Sequence, residues 1–171
     1  MKHLLILFTM VAMVLAFCAT VSSDEAKEDK GSAHEYVGVK KCKMCHKKDG
    51  VHASWLATKH ATAWDSLSAE DQKNEALAPY YITGTTAKDV LLTGVQCESC
   101  HGPGADYKKK SIMKDRDKAV AAGLIMPDSL SCLQCHNEKA PAALAATAKD
   151  FDFEKMKPTG VHADMKKPES E

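Results

Sequence analysis

The chain has 171 residues, enough for one domain and at most two, and its 23 basic and 23 acidic side chains cancel to zero net charge. That balance gives no argument for nucleic-acid binding, which draws on a basic excess. Aromatic residues make up only 6% of the chain, too few for side-chain burial alone to offset the ordering entropy of so polar a sequence. Something other than side chains is therefore expected in its interior.

In chain order, residues 1–23, MKHLLILFTMVAMVLAFCATVSS, have a basic start, an apolar run from Leu4 to Phe17 and small residues before an acidic stretch. This is the form of a secretory signal peptide, with cleavage expected near Ser23 and a periplasmic or otherwise exported product. The apolar run is shorter than the roughly 20 residues of a spanning helix, so a membrane enters only as an alternative anchor. The leader takes Cys18 with it, and the other six cysteines all fall in C-x-x-C pairs. Residues 24–34 read as a flexible charged segment, 35–165 as the folded domain and 166–171 as a flexible tail.

The pattern between the tails is mainly α with long loops and no run of alternating strand residues. The spacing in VHASWLATKHATAWDSL predicts one helix, with Leu56, His60, Trp64 and Leu67 on a single face and His52 extending the stripe. Ser68 and Asp71 suggest a capping box opening SAEDQKNEAL. Another helix is expected from about Ser111 to Ala122, stopping at Gly123, and a short one from Pro141.

The sequence C-x-x-C-H occurs three times: Cys42, Cys45, His46; Cys97, Cys100, His101; and Cys132, Cys135, His136. Cysteines at i and i+3 lie on one face of a helical turn. Their sulfurs can bond two substituents on one edge of a haem, and the next residue can turn its imidazole onto the iron, which is the c-type haem attachment pattern. Zinc sites use paired cysteines without needing a histidine after every second one. Three bridges of i, i+3 span would cross-link very little of an exported chain. Three covalently bound haem c groups are the reading that accounts for all three runs and for the thin core.

His46, His101 and His136 are then the proximal ligands. The candidates for the distal positions are His60 and His162 first, with His52 and His34 as further possibilities, and Met113 and Met126 as weaker ones. No catalytic residue is required.

YVGVKKCKMCH, SWLATKHATAWDSL, LLTGVQCESCHGPG, CLQCHN and FDFEKMKPTGVH together resemble the cytochrome c-554 family of multihaem cytochromes. The resemblance implies a compact, mostly helical fold around stacked haems that pass electrons, with bis-histidine ligation of most of them. It also implies distal roles for the histidine of KHA, His60, and for the one after FDFE, His162. Two departures stand out. Leu77, Tyr80 and Tyr81 occupy a region where four-haem members carry a further C-x-x-C-H, so one haem is expected to be missing, with the tyrosines filling part of its space. The segment after CHGPG contains no histidine, which leaves the sixth ligand of the His46 haem open.

The expected function is an exported trihaem electron carrier whose partners are other redox proteins. Lys108, Lys109 and Lys110 could steer an acidic one, although a solvated charge run is the plainer reading. Two alternatives stay open on the sequence alone. A five-coordinate haem could reduce nitric oxide or hydroxylamine, or the chain could be a subunit of a conducting cytochrome filament.

Overall fold

The computed structural model describes residues 34–141 and 151–162, all within one compact unit. The expected leader, most of the charged segment after it, the short helix after Pro141 and the tail lie outside the described residues. The described part is built from short helices and turns: α1 (Val39–His46), α2 (Val51–Leu56), α3 (Lys59–Thr62), α4 (Ala78–Tyr81), α5 (Cys97–His101), α6 (Lys110–Met113), α7 (Arg116–Ala121), α8 (Ser129–Leu133) and α9 (Phe153–Met156). Among the described residues no helix is long and apolar enough to cross a membrane.

Four expectations about these elements are corrected. The long helix from residue 51 breaks after α2, because Thr58 is extended and its hydroxyl donates back to the Trp55 carbonyl at 2.7 Å. Trp55 is itself tethered, its indole N–H donating to the Val95 carbonyl at 3.1 Å. His60 therefore sits on a separate turn, α3, and the single stripe from Leu56 to Leu67 does not form. The helix expected over 111–122 divides in the same way. Asp115 leaves helical geometry and its carboxylate accepts the Lys118 N–H at 3.1 Å, so that it starts α7 anew. Ser68 and Asp71 make half of their box: the Ser68 hydroxyl accepts the Asp71 N–H and donates to the Asp71 carboxylate. Only two 3₁₀ turns come after it, Asp71–Lys73 and Glu75–Leu77, separated by an extended Asn74 that caps the second.

The fourth correction is a β-hairpin. β1 (Ile82–Thr85) pairs antiparallel with β2 (Leu91–Thr93), matching Ile82 with Thr93 and Thr85 with Leu91, with an irregularity between Ile82 and Gly84. Tyr36 lies across it, and a Cβ added at Gly84 would meet the Tyr36 ring at 2.6 Å. Only glycine permits this approach. The hairpin also positions α5. The buried Thr83 hydroxyl donates to the Gly94 carbonyl at 2.7 Å and accepts the Gln96 N–H at 3.1 Å and the Ser99 hydroxyl at 2.6 Å. The entrance to α5 is fixed by that one side chain.

Few apolar side chains are buried. Leu77, Tyr81, Tyr107 and Ala119 form the apolar core of the described residues.

Candidate haem-attachment site

Each C-x-x-C-H run winds as a helical turn. α1 ends on the first and α5 coincides with the second. α8 carries Cys132 and passes Cys135 and His136 to the turn beyond it, where their N–H groups still donate to the Cys132 carbonyl, at 3.2 and 2.9 Å. Asp128 and Ser131 close a capping box at the start of α8. Asn137 donates to the Leu133 and Gln134 carbonyls at its end. All six cysteines are free thiols.

The second motif lies between the other two. The influence of Cys97, and then burial, hold the Cys42 thiol far above its ordinary range, whereas at Cys97 the influence of Cys42 outweighs burial and lowers the pKa. On the other side, loss of solvent around the Cys100 sulfur pushes its pKa up to about 11, with Cys132 and Cys135 adding to the effect.

Two side chains that sequence reasoning does not single out join the first motif to the second. Glu98, between Cys97 and Cys100, is 2% exposed. Its carboxylate accepts the N–H groups of Val37 at 3.0 Å, Gly38 at 2.7 Å and Gly104 at 2.6 Å. Gln96 accepts the Val39 N–H at 2.8 Å and donates to the Thr93 carbonyl at 2.9 Å. The unpaired donors at the start of α1 are thus satisfied by residues flanking Cys97. A carboxylate inside an otherwise thiol-lined turn was the available signal. Tyr107 closes the far end of α5, its buried hydroxyl donating to the Gly102 carbonyl at 2.7 Å and lying 3.2 Å from that of His101. Burial, and then the Glu98 charge, keep this phenol well above its ordinary pKa. Gly102 leaves α5 at φ 75°, a left-handed geometry that favours glycine, with the Gly123 carbonyl and Ile125 packed close against it.

The histidines form pairs. The rings of His60 and His136 are 5.9 Å apart, and those of His101 and His162 are 6.5 Å apart. Two imidazoles sharing one metal through bonds of about 2 Å have centroids roughly 6 Å apart, so both pairs fit bis-histidine ligation. Phe151 stacks on the His136 ring at 4.5 Å. Burial lowers the pKa of His60, His101 and His162, which favours the neutral imidazole that a metal would need. The Nδ1 of His101 donates to the Ile125 carbonyl at 3.0 Å and that of His162 to the Ser54 hydroxyl at 2.5 Å. Both bonds leave Nε2 free.

His46 is different. Its Nδ1 donates to Asp49 Oδ2 at 2.7 Å, and among the described residues no aromatic ring faces it. Burial opposes the Asp49 charge, but the Val51 N–H and His46 outweigh it and keep the carboxyl below its ordinary pKa. His52 is buried against Trp55 at 5.6 Å, and burial with the nearby Lys43 and Lys47 lowers its pKa. His34 is exposed and its Nδ1 bonds Asp106 at 2.5 Å. Neither is paired with His46. Met113 lies half-buried on α6 and Met126 is exposed beside Ile125. Leu77 and Tyr81 are core residues, while Tyr80 donates to the Lys139 carbonyl at 3.4 Å.

The surroundings of the motifs also suit flat apolar groups. Met44, inside the first motif, is 75% exposed and Leu130, on α8, is 70% exposed. Leu56, Ile125, Met126 and Leu133 are exposed close to the motifs or their paired histidines. Exposed apolar side chains gathered beside the motifs are surface that a flat apolar group would cover. The thiol and imidazole donor set and this apolar border fit covalent haem.

Comparison with known proteins points the same way. The family model described as cytochrome c554 and c-prime matches residues 41–81 and 76–102. Cytochrome c-554 of Nitrosomonas europaea is 33% identical over 97 residues, a match covering 43% of this chain and 40% of the relative. This chain therefore spans less than half of that relative's length. No solved structure matches. The two matches support a c-554-like cytochrome.

Proposed function

We propose that this c-554-like chain is an exported electron-transfer protein carrying three covalently bound haem c groups. The observation that carries the reading is the pairing of His136 with His60 and of His101 with His162, each pair beside free thiols at i and i+3. Haem, when bound, would supply a one-electron iron couple, and the protein's part is spacing, burial and choice of ligand. Cys42, Cys45, Cys97, Cys100, Cys132 and Cys135 would anchor the three groups. The electrostatic influence of Cys42 on Cys97, and of Cys132 and Cys135 on Cys100, supports an arrangement with the second motif in the middle. The burial of Leu77 and Tyr81 supports the view that core side chains stand where a fourth group is absent.

Partners would be other redox proteins, met over a small patch. Lys40, Lys41, Lys43, Lys47 and Lys48 surround the exposed Met44 and Cys45, all five are exposed, and no ion pair occupies them among the described residues. This face, with five exposed lysines around an exposed thiol and methionine, suits an acidic partner better than the shorter run Lys108–Lys110.

A second reading rests on His46, which lacks a facing imidazole among the described residues. Its haem would then be open to a small ligand such as nitric oxide or hydroxylamine. Mass spectrometry of the mature protein tests the first reading: three haem adducts and loss of residues 1–23 are expected, and an unmodified chain would refute it. Electron paramagnetic resonance of the ferric protein separates the two. Two low-spin haems and one that changes with added cyanide favour the open site, whereas three unresponsive low-spin haems remove it.

A further inference from the structure

Three histidines of the site have their Nδ1–H groups held by acceptors of different strength. His162 donates to a hydroxyl, that of Ser54, whose own proton goes to the Val51 carbonyl at 2.9 Å. His101 donates to the backbone carbonyl of Ile125. His46 donates to a carboxylate. In each case the Nδ1 bond fixes the tautomer and leaves the Nε2 lone pair for a metal. The acceptor also sets how much electron density reaches Nε2. A full negative charge draws the N–H proton furthest and makes the imidazole the stronger donor.

We infer that Asp49 is a positioning residue for His46, making it the strongest donor of these three histidines and holding its haem at a lower potential than the ring alone would set. This rests on the haem-attachment reading of Cys42, Cys45 and His46. The carboxylate is placed for the task from both sides. Its Oδ2 takes the His46 Nδ1–H, and its Oδ1 accepts the Val51 N–H at 3.0 Å. Gly50, at φ 85°, makes the left-handed turn that lets Asp49 reach both the end of α1 and the start of α2. The side chain thus cannot rotate away from His46 without releasing the first donor of α2. A solvated surface pair would not need this second tether. Asp49 remains 46% exposed, and water screens part of its charge, so a modest effect is expected and not the full effect of a buried anion.

The test uses the holoprotein. Asp49→Asn keeps an oxygen for the Val51 N–H and removes the charge. In a spectroelectrochemical titration, the reduction equilibrium of one haem should rise about tenfold, about 59 mV for one electron, while the other two move much less. The axial-ligand signature of that same haem, read by paramagnetic resonance or resonance Raman, should shift toward a weaker donor. Asp49→Glu, which restores the charge, should recover part of both changes. Unchanged potentials in a variant that keeps all three haems would overturn the inference. So would a potential shift with no change in the ligand signature, which would mark a simple charge effect. A wild-type protein without haem, shown by its pyridine haemochrome spectrum, would overturn the attachment reading beneath it.

Discussion

Glu98 shows how much one side chain can decide in a chain with little apolar core. Its carboxylate gathers the N–H groups of Val37, Gly38 and Gly104. Charge-assisted bonds of this kind are worth about 1.5–3 kcal/mol each, and a buried donor left unpaired costs about 1–3 kcal/mol. Glu98→Gln keeps one carbonyl oxygen but turns an NH₂ toward a backbone N–H. The expected loss is roughly 3 kcal/mol, read as a lower urea midpoint in protein with unchanged haem content. A loss below about 0.5 kcal/mol would mean that water replaces the carboxylate without penalty. The histidine pairs predict separable effects at the same scale. His60→Ala should turn one ferric haem high-spin, His162→Ala a different one, and the double variant both. Equal spectra for the two single variants would contradict the pairing.

At the scale of elements, the tight contacts lie in turns and hairpins, not in long helices. Gly84→Ala would drive a methyl into the Tyr36 ring, with an expected cost of about 1–3 kcal/mol. Tyr36→Ala should remove most of that added cost, so a double-mutant cycle in urea should show clear coupling between the two positions. Additive effects would place the strain elsewhere. The capping box of α8 predicts a pH dependence. The Ser131 N–H, and then its hydroxyl, hold the Asp128 carboxyl below its ordinary pKa. A depressed folded pKa stabilises above the unfolded value, about 3.9, and that contribution is lost as pH falls through the folded value. Asp128→Asn should therefore lower stability at neutral pH, where the ionised carboxylate contributes, and flatten the acid limb below about pH 4, where the two proteins converge. These elements also show what the sequence made legible. The three C-x-x-C-H turns could be read directly from their spacing, whereas His60 and His162 are suggested by an apolar stripe that does not form and by the family resemblance, and the structure sets each beside a motif histidine. The breaks at Thr58 and Asp115 could not, since helical periodicity continues through both and only a side-chain bond to the backbone stops it. The hairpin escapes a pattern reading because its strands are three and four residues long and include Gly84 in place of an apolar position. Gln96 and Glu98 have the composition of surface residues, and only the start of α1 lying on them gives them their role.

The whole molecule is neutral, but its charge is not evenly spread. Nine consecutive residues, 40–48, contain five lysines and no acid, and they surround the exposed Met44 and Cys45. The resulting field should matter only in encounter, since charges separated by more than about 8–10 Å of salt solution are screened. The prediction is therefore kinetic. Reduced flavodoxin, an acidic protein donor, should reduce the holoprotein at a rate that falls at least about tenfold between low and physiological salt. Replacing Lys43, Lys47 and Lys48 by Gln should remove most of that salt dependence. The same replacement should leave reduction by a small cationic complex such as hexaammineruthenium(II) unslowed, because no protein partner is being steered. Replacing Lys108, Lys109 and Lys110 by Gln should have little effect in either assay. If that second triple variant carries the loss instead, the contact lies beside α6. If neither does, the lysines around the first motif are only a solvated face.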